Sequence, residues 1–365
     1  SYGMVAQTIN RENKDLIGAA VLNGNESFKN AVINVTGNNS IGMYGSTADI
    51  LNYGKINVTG ENSVGMKTNG LAFADNYGTI AVTGNNSIGM SAENGGRVTN
   101  EKGGIINVKG NGSYAMKADG VNSWAVNEEG ATINVGTTAG GAMWATNSGK
   151  ITNDGTINLE KREGLTEDNK NGFAMIADGN STIENNGDVF IKDALNITTD
   201  STSAYIIGTN KDGSYGKVSA ETVTVDGNVK VSAEMAKEGY KDSYALNNAI
   251  TGKTELGKNY KLSSTSLLYN AVSKTDEEGN LDVELVRNDT DISDLTSKEV
   301  SKVAGIFDRA MKDETLSEKE KEILEKVFDS TSSAKAVDDA IKKFTGYNVY
   351  SNIARQIFDT KDMFV

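Results

Sequence analysis

None of the 365 residues is proline, cysteine or histidine, and only two are tryptophan. Without histidine there is no Ser-His-Asp or Cys-His catalysis and no imidazole to bind a metal. Without cysteine there is no thiol nucleophile, zinc cluster or disulfide framework. A chain that crosses an oxidising compartment unfolded is spared cross-linking by the same lack. No run of 18 apolar residues is present, so nothing has the composition of a membrane-spanning helix. Basic residues are outnumbered 36 to 49, a net charge of −13. That balance disfavours nucleic acid, whose phosphates need a basic footprint, and equally disfavours anionic lipid. No cofactor is expected.

What the chain does have is glycine, 40 residues of it, and a repeat. An Ile-Asn-Val type run begins at Ile33, Ile56, Ile80, Ile106, Ile133 and Ile157, in steps of 23, 24, 26, 27 and 24 residues. A second run ends at Met43, Met66, Met90, Met116, Met143 and Met175. A third, apolar-x-Asn-x-Gly, carries Asn52, Asn153 and Asn185, with looser copies at Asn76, Asn100 and Asn127. Alternation within each run puts every second side chain on one face, so Ile33 and Val35 should share a face, as should Ile41 and Met43. Three short strands in about two dozen residues make one coil of a right-handed parallel β-helix, in which stacking buries the apolar columns. The fold expected is all-β, a right-handed parallel β-helix with a C-terminal β capping subdomain and a short α-helical segment. The Asn column suits a stacked amide ladder at one corner, or simply left-handed turns.

Ser1-Tyr2-Gly3-Met4 matches the Met run, so the chain is expected to begin inside a coil of a longer protein. Glu160 to Lys170 reads as a charged insertion, a protruding loop or a solvated bulge. The residue before each Met is small (Gly42, Gly65, Gly89, Ala115, Ala142, Ala174) and the residue after it varies (Tyr44, Lys67, Ser91, Lys117, Trp144, Ile176). The variable column is expected to be exposed. The small column is expected on that same face, marking a tight bend or a surface on which something lies flat.

The organisation read from these patterns is β-helix repeats over 1–230, a capping, autochaperone-like β subdomain over 231–290, and a helical linker over 291–365. Hairpins are expected around Tyr260-Lys261-Leu262, Leu267-Leu268-Tyr269 and Leu281 to Val286. Thr296-x-x-Glu299 and Ser317-x-x-Glu320 look like capping boxes, each opening a helix. Two further helical stripes run through Val337, Ala340, Ile341, Phe344 and through Val349, Ile353, Ile357, Phe358.

This order of parts resembles the C-terminal passenger region of a type V secretion autotransporter, most like the large outer-membrane adhesins of fusobacteria. Residues Ala340 to Asn352 are similar to the run that precedes the translocating barrel in that family, with Phe344-Thr345-Gly346 at its Leu-Ser-Gly. Tyr347 stands where the pattern has an acid. The resemblance implies a passenger displayed at the cell surface, anchored to the outer membrane through its own β-barrel downstream. It also implies attachment to a host cell-surface protein or glycan, or to partner bacteria.

Tyr44, Lys67, Lys117 and Trp144 are the candidate adhesive surface, because exposed aromatics favour interfaces; scattered surface residues are the plainer alternative. A β-helical polysaccharide lyase or hydrolase is the competing function. Its site needs clustered carboxylates, and the variable column holds no acid pair. Asp49, Asp75, Asp119, Asp154 and Asp178 recur near turns, where Asp is common for backbone reasons. The chain is therefore expected not to be an enzyme. The G-G-x-G-x-D pattern of calcium-binding β-rolls is missing.

Overall fold

The Ile-Asn-Val strands pair in parallel and in register: Ile33 with Ile56, Ile56 with Ile80, then Ile106, Ile133, Ile157 and Val189. All of them are buried. The Met strands do the same from Met43 to Met175, and the Asn strands from Asn52 to Asn185. The result is an all-β parallel β-solenoid of about seven turns, as the repeat implied. This computed structural model describes residues 21–23, 31–160, 173–191, 194–238, 240–311 and 318–344. The readings of Ser1–Met4, the charged insertion, Ser317-x-x-Glu320 and the Val349–Phe358 stripe fall outside them.

The core is a stack of identical side chains. Six methionines, each at most 2% exposed, form one column, and Ile and Val form the next. Burying each such side chain stabilises the stack by about 1.5–3 kcal/mol. At the corner after each Asn strand the ladder is present. Asn52 Nδ2 donates to Asn76 Oδ1 at 2.7 Å, and the same bond recurs through Asn100, Asn127 and Asn153 to Asn185 at 2.8 Å. All six amides are fully buried. At the opposite corner Asn39, Asn62 and Asn86 take positive φ, and serine hydroxyls bridge coils: Ser63 Oγ accepts from Ser40 N, Ser87 Oγ from Ser63 N, and Ser113 Oγ from Ser87 N.

The Met strands correct one expectation. Gly42 and Met43 are both buried while Ile41 and Tyr44 are half-buried, so strict alternation fails at this step. A Cβ on Gly42 would sit 2.6 Å from the Gly65 carbonyl oxygen and 2.9 Å from Val35 Cγ2. Ala115 and Ala142 are completely buried in the core. Among the described residues the small column (Gly42, Gly65, Gly89, Ala115 and Ala142) faces inward, not outward with the variable column, and Ile41 does not share the face of Met43. The bend is real: two consecutive residues point inward there, and only a small one fits beneath the next coil's backbone.

Parallel pairing continues to Ser243–Leu256 and Lys261–Ser264. Lys261–Ser264 is thus the last parallel rung, not a hairpin arm. Ser243–Leu256 also pairs antiparallel with Leu281–Arg287, which forms a hairpin with Tyr269–Thr275. Helices α1 (Ser301–Ala310), α2 (Glu318–Phe328) and α3 (Ala334–Phe344) follow. Helix α1 starts after Val300, later than the expected capping box; Ser297 instead donates its N–H and hydroxyl to Asp338 of α3, at 2.8 and 2.7 Å. The helices close over the end of the solenoid. Phe328 packs on Tyr240 and Tyr269, Lys237 bridges Glu234 and Asp329, and Leu267 N donates to Thr331 O.

Candidate functional site

Pairing in the Met strands places Tyr44, Lys67, Ser91, Lys117, Trp144 and Ile176 side by side across six coils, as one continuous outward column. Strand stacking brings together residues 23–32 apart in sequence. The column is less open than expected. Tyr44, Lys67, Lys117 and Trp144 are half-buried, and Ser91 is buried.

Each group already has partners. Lys67 pairs with Glu93 at 2.7 Å and Lys117 with Asp119 at 2.8 Å. The Lys117 ammonium also lies 4.4 Å from the Trp144 ring centroid, and Tyr114 packs on that ring at 5.4 Å. Trp144 Nε1 donates to Asp178 at 3.1 Å. Burial acts to raise the Asp119 carboxyl, yet hydrogen bonds from Asn147 and Lys117 hold it below the ordinary aspartate value. The side chains of the cluster are therefore held by their neighbours, which leaves them little rotamer freedom.

A second outward column went unseen in the sequence. Phe73, Arg97, Trp124, Lys150 and Thr182 lie in register three positions before the ladder asparagines. Trp124 has Arg97 Cζ at 4.6 Å and Lys150 Nζ at 5.3 Å from its ring centroid, and its Nε1 donates to Thr152. The fixed distance to each ladder Asn was the signal available for it.

A third column follows each ladder Asn directly. It opens with Tyr53 stacked on Tyr77 (4.8 Å, 6° between planes) and continues as Glu101, Glu128 and Asp154. These acids line successive coils, so the absence of paired acids on the variable column does not extend to the whole surface. Burial first, then the charges of Asp75 and Glu128, raise the Glu101 carboxyl against the pull of Arg97. Asp154 is raised by burial, with Glu184 and Glu129 adding, although Asn186 donates to it at 2.7 Å. Glu128, Asp154, Asp188 and Asp212 border a cleft of about 770 Å³. Among the described residues no group of three or more acids is arranged to hold a metal ion.

The model of the BigA third pectate lyase-like domain matches residues 3–135 and 112–188, together about half of the chain. The model of the BigA beta sandwich domain matches residues 204–289, the stretch in which parallel coils give way to the antiparallel hairpin. The chain is 29% identical over 253 residues to BigA of Salmonella typhimurium strain LT2, described as a surface-exposed virulence protein. That similarity covers 56% of this chain but only 13% of the relative's length. No solved structure matches. By the extent of the domain match, the chain belongs to the family of the BigA third pectate lyase-like domain.

Proposed function

We propose that the chain is part of a surface-displayed, virulence-related protein, the passenger of an autotransporter adhesin anchored to the outer membrane by a β-barrel, and that it supports attachment as a stiff β-helical stalk. The observation that carries this reading is the continuous solenoid with its fixed outward columns; similarity to a surface-exposed virulence protein supports the setting. Attachment is to a host cell-surface protein or glycan, or to partner bacteria, through Tyr44, Lys67, Lys117 and Trp144. The hairpin and helices act as a stable end that templates coil stacking, because non-local parallel pairing is slow to form.

The test is saturable binding of the labelled fragment to host cells and to partner bacteria, beside a longer piece of the same parent. Loss of binding in Trp144→Ala assigns the contact to the variable column. Binding by the longer piece alone makes this region a spacer. Binding by neither defeats the reading.

A polysaccharide lyase or hydrolase is the second reading, favoured by the acidic run Glu101, Glu128 and Asp154, in which the Glu101 and Asp154 carboxyls are raised. Release of reducing ends from acidic or neutral polysaccharide, abolished in Asp154→Asn, would establish it.

A further inference from the structure

The solenoid carries a second, outward amide ladder, and it is broken at one rung. On the Ile-Asn-Val strands Asn57 Nδ2 donates to Asn34 Oδ1 at 2.8 Å, Asn134 to Asn107 at 2.9 Å, and Asn158 to Asn134 at 3.0 Å. Every bond runs toward the preceding coil. Between Asn57 and Asn107 the register places Ala81. That methyl leaves the acceptor of Asn57 and the donor of Asn107 facing an empty rung, on strands two spacings or about 9.6 Å apart.

The gap adjoins a cleft of about 680 Å³ floored by Ala81, Asn107, Asn134 and Asn158, with Thr83, Lys109 and Glu160 on its wall. The neighbouring column over the same coils is Thr79, Ile105, Thr132 and Thr156. Over these four coils the two columns hold no charge; Lys55 stands beside Asn57 at one end and Asp188 beside Phe190 at the other, and the cleft itself is lined by one cation, Lys109, and one anion, Glu160, in a chain of net charge −13. Next in register beyond Asn158 stands Phe190, 48% exposed.

We propose that this cleft binds an uncharged glycan through the acetamido group of an N-acetylated hexosamine, which completes the ladder over Ala81. The group is a trans secondary amide, the same unit as the peptide groups that stack at ~4.8 Å in the sheet beneath it. Its N–H donates to Asn57 Oδ1, its carbonyl accepts from Asn107 Nδ2, and its methyl rests on Ala81. Asn134 and Asn158 then meet sugar hydroxyls along the cleft, Thr132 and Thr156 flank them in register on the opposite side, and Phe190 offers a ring face for stacking about 19 Å along the axis from Ala81. The hydroxyl and amide run favours a sugar chain over a peptide Asn or Gln side chain, which could fill the rung but leaves the rest of the cleft unused.

This inference names the ligand class for the attachment reading and rests on it only for its biological setting. The probes are β-1,4-linked tetramers of N-acetylglucosamine, glucosamine and glucose, titrated calorimetrically into wild type, Ala81→Asn and Asn107→Asp. Ala81→Asn supplies the missing amide; Asn107→Asp keeps the oxygen that Asn134 bonds to and removes the donor. Wild type should bind only the acetylated tetramer, and each substitution should weaken binding by about tenfold, the loss of a hydrogen bond. Ala81→Asn should melt at the same or a higher temperature, which separates lost binding from lost fold.

Equal binding of the three tetramers, undiminished binding by either variant, no binding of any tetramer, or binding of Asn/Gln peptides alone overturns the proposal. Cell attachment unchanged in Ala81→Asn, beside lost sugar binding, leaves this site intact and places attachment elsewhere.

Discussion

Replacing Asn100 with Ala should destabilise the solenoid far more than the same change at Asn134, although both occupy amide ladders. Asn100 is completely buried. It accepts from Asn76 Nδ2 at 2.8 Å, donates to Asn127 Oδ1 at 2.8 Å and reaches Gly104 O at 3.2 Å. Alanine leaves the Asn76 amide without its acceptor and the Asn127 oxygen without its donor, in a corner closed to solvent. A buried polar group left unpaired costs about 1–3 kcal/mol, so two cost about 2–6 kcal/mol. Asn134 is half-buried and water can replace its partners, so its loss should cost about 0.5–1.5 kcal/mol. Urea titration followed by tryptophan fluorescence reads both, since Trp124 is one coil from Asn100 in register. If Asn100→Ala costs no more than Asn134→Ala, the buried ladder is not a principal stabiliser and the reasoning is wrong.

Gly65→Ala should destabilise by about 1–3 kcal/mol through overpacking, because its Cβ would lie 2.6 Å from the Gly89 carbonyl oxygen and 3.1 Å from Ile80 Cγ2; an unchanged urea midpoint refutes the inward placement. The raised Asp154 carboxyl binds its proton more tightly when folded, so its ionisation opposes folding above the raised value and the penalty lifts as pH falls through it. Asp154→Asn should therefore stabilise at pH 7 and lose that advantage in acid. The lowered Asp119 carboxyl has the opposite sign: its stabilisation is present above the ordinary aspartate value and lost as pH falls further, so Asp119→Asn should weaken the fold at pH 7. Thermal melts from pH 3 to 8 check both. Lys237→Met removes the ion pairs that tie Asp329 and Glu234 together at the helical end. Both acids keep solvent contact, so the loss should be about 1 kcal/mol, read as earlier proteolysis of the helices.

Much of this architecture is legible in the repeat. Asn two places after each buried apolar residue has few ways to be buried in a stack except by bonding to its copy, and the ladder follows. Aligned methionines have to form one column once coils of similar length are superposed. The helical end was harder to read: Thr296-x-x-Glu299 has the composition of a capping box, yet Ser297 is held by Asp338, 41 residues away, and the helix starts beyond it. A local pattern gave way to a tertiary hydrogen bond.

The sequence by itself determined the coil, its register and its buried columns, because strand alternation and stacking are properties of short segments repeated. Tertiary structure decided what each outward column is. Only the bend at Gly42 and Met43, where two successive residues turn inward, fixes the small column against the core. Only contact between coils gives Trp144 its Lys117, Tyr114 and Asp178 partners. The acids Glu101, Glu128 and Asp154 become a run, and Ala81 becomes a gap, for one physical reason. Neighbours on a solenoid surface are about two dozen residues apart in the chain, so their chemistry exists only once the coils are stacked.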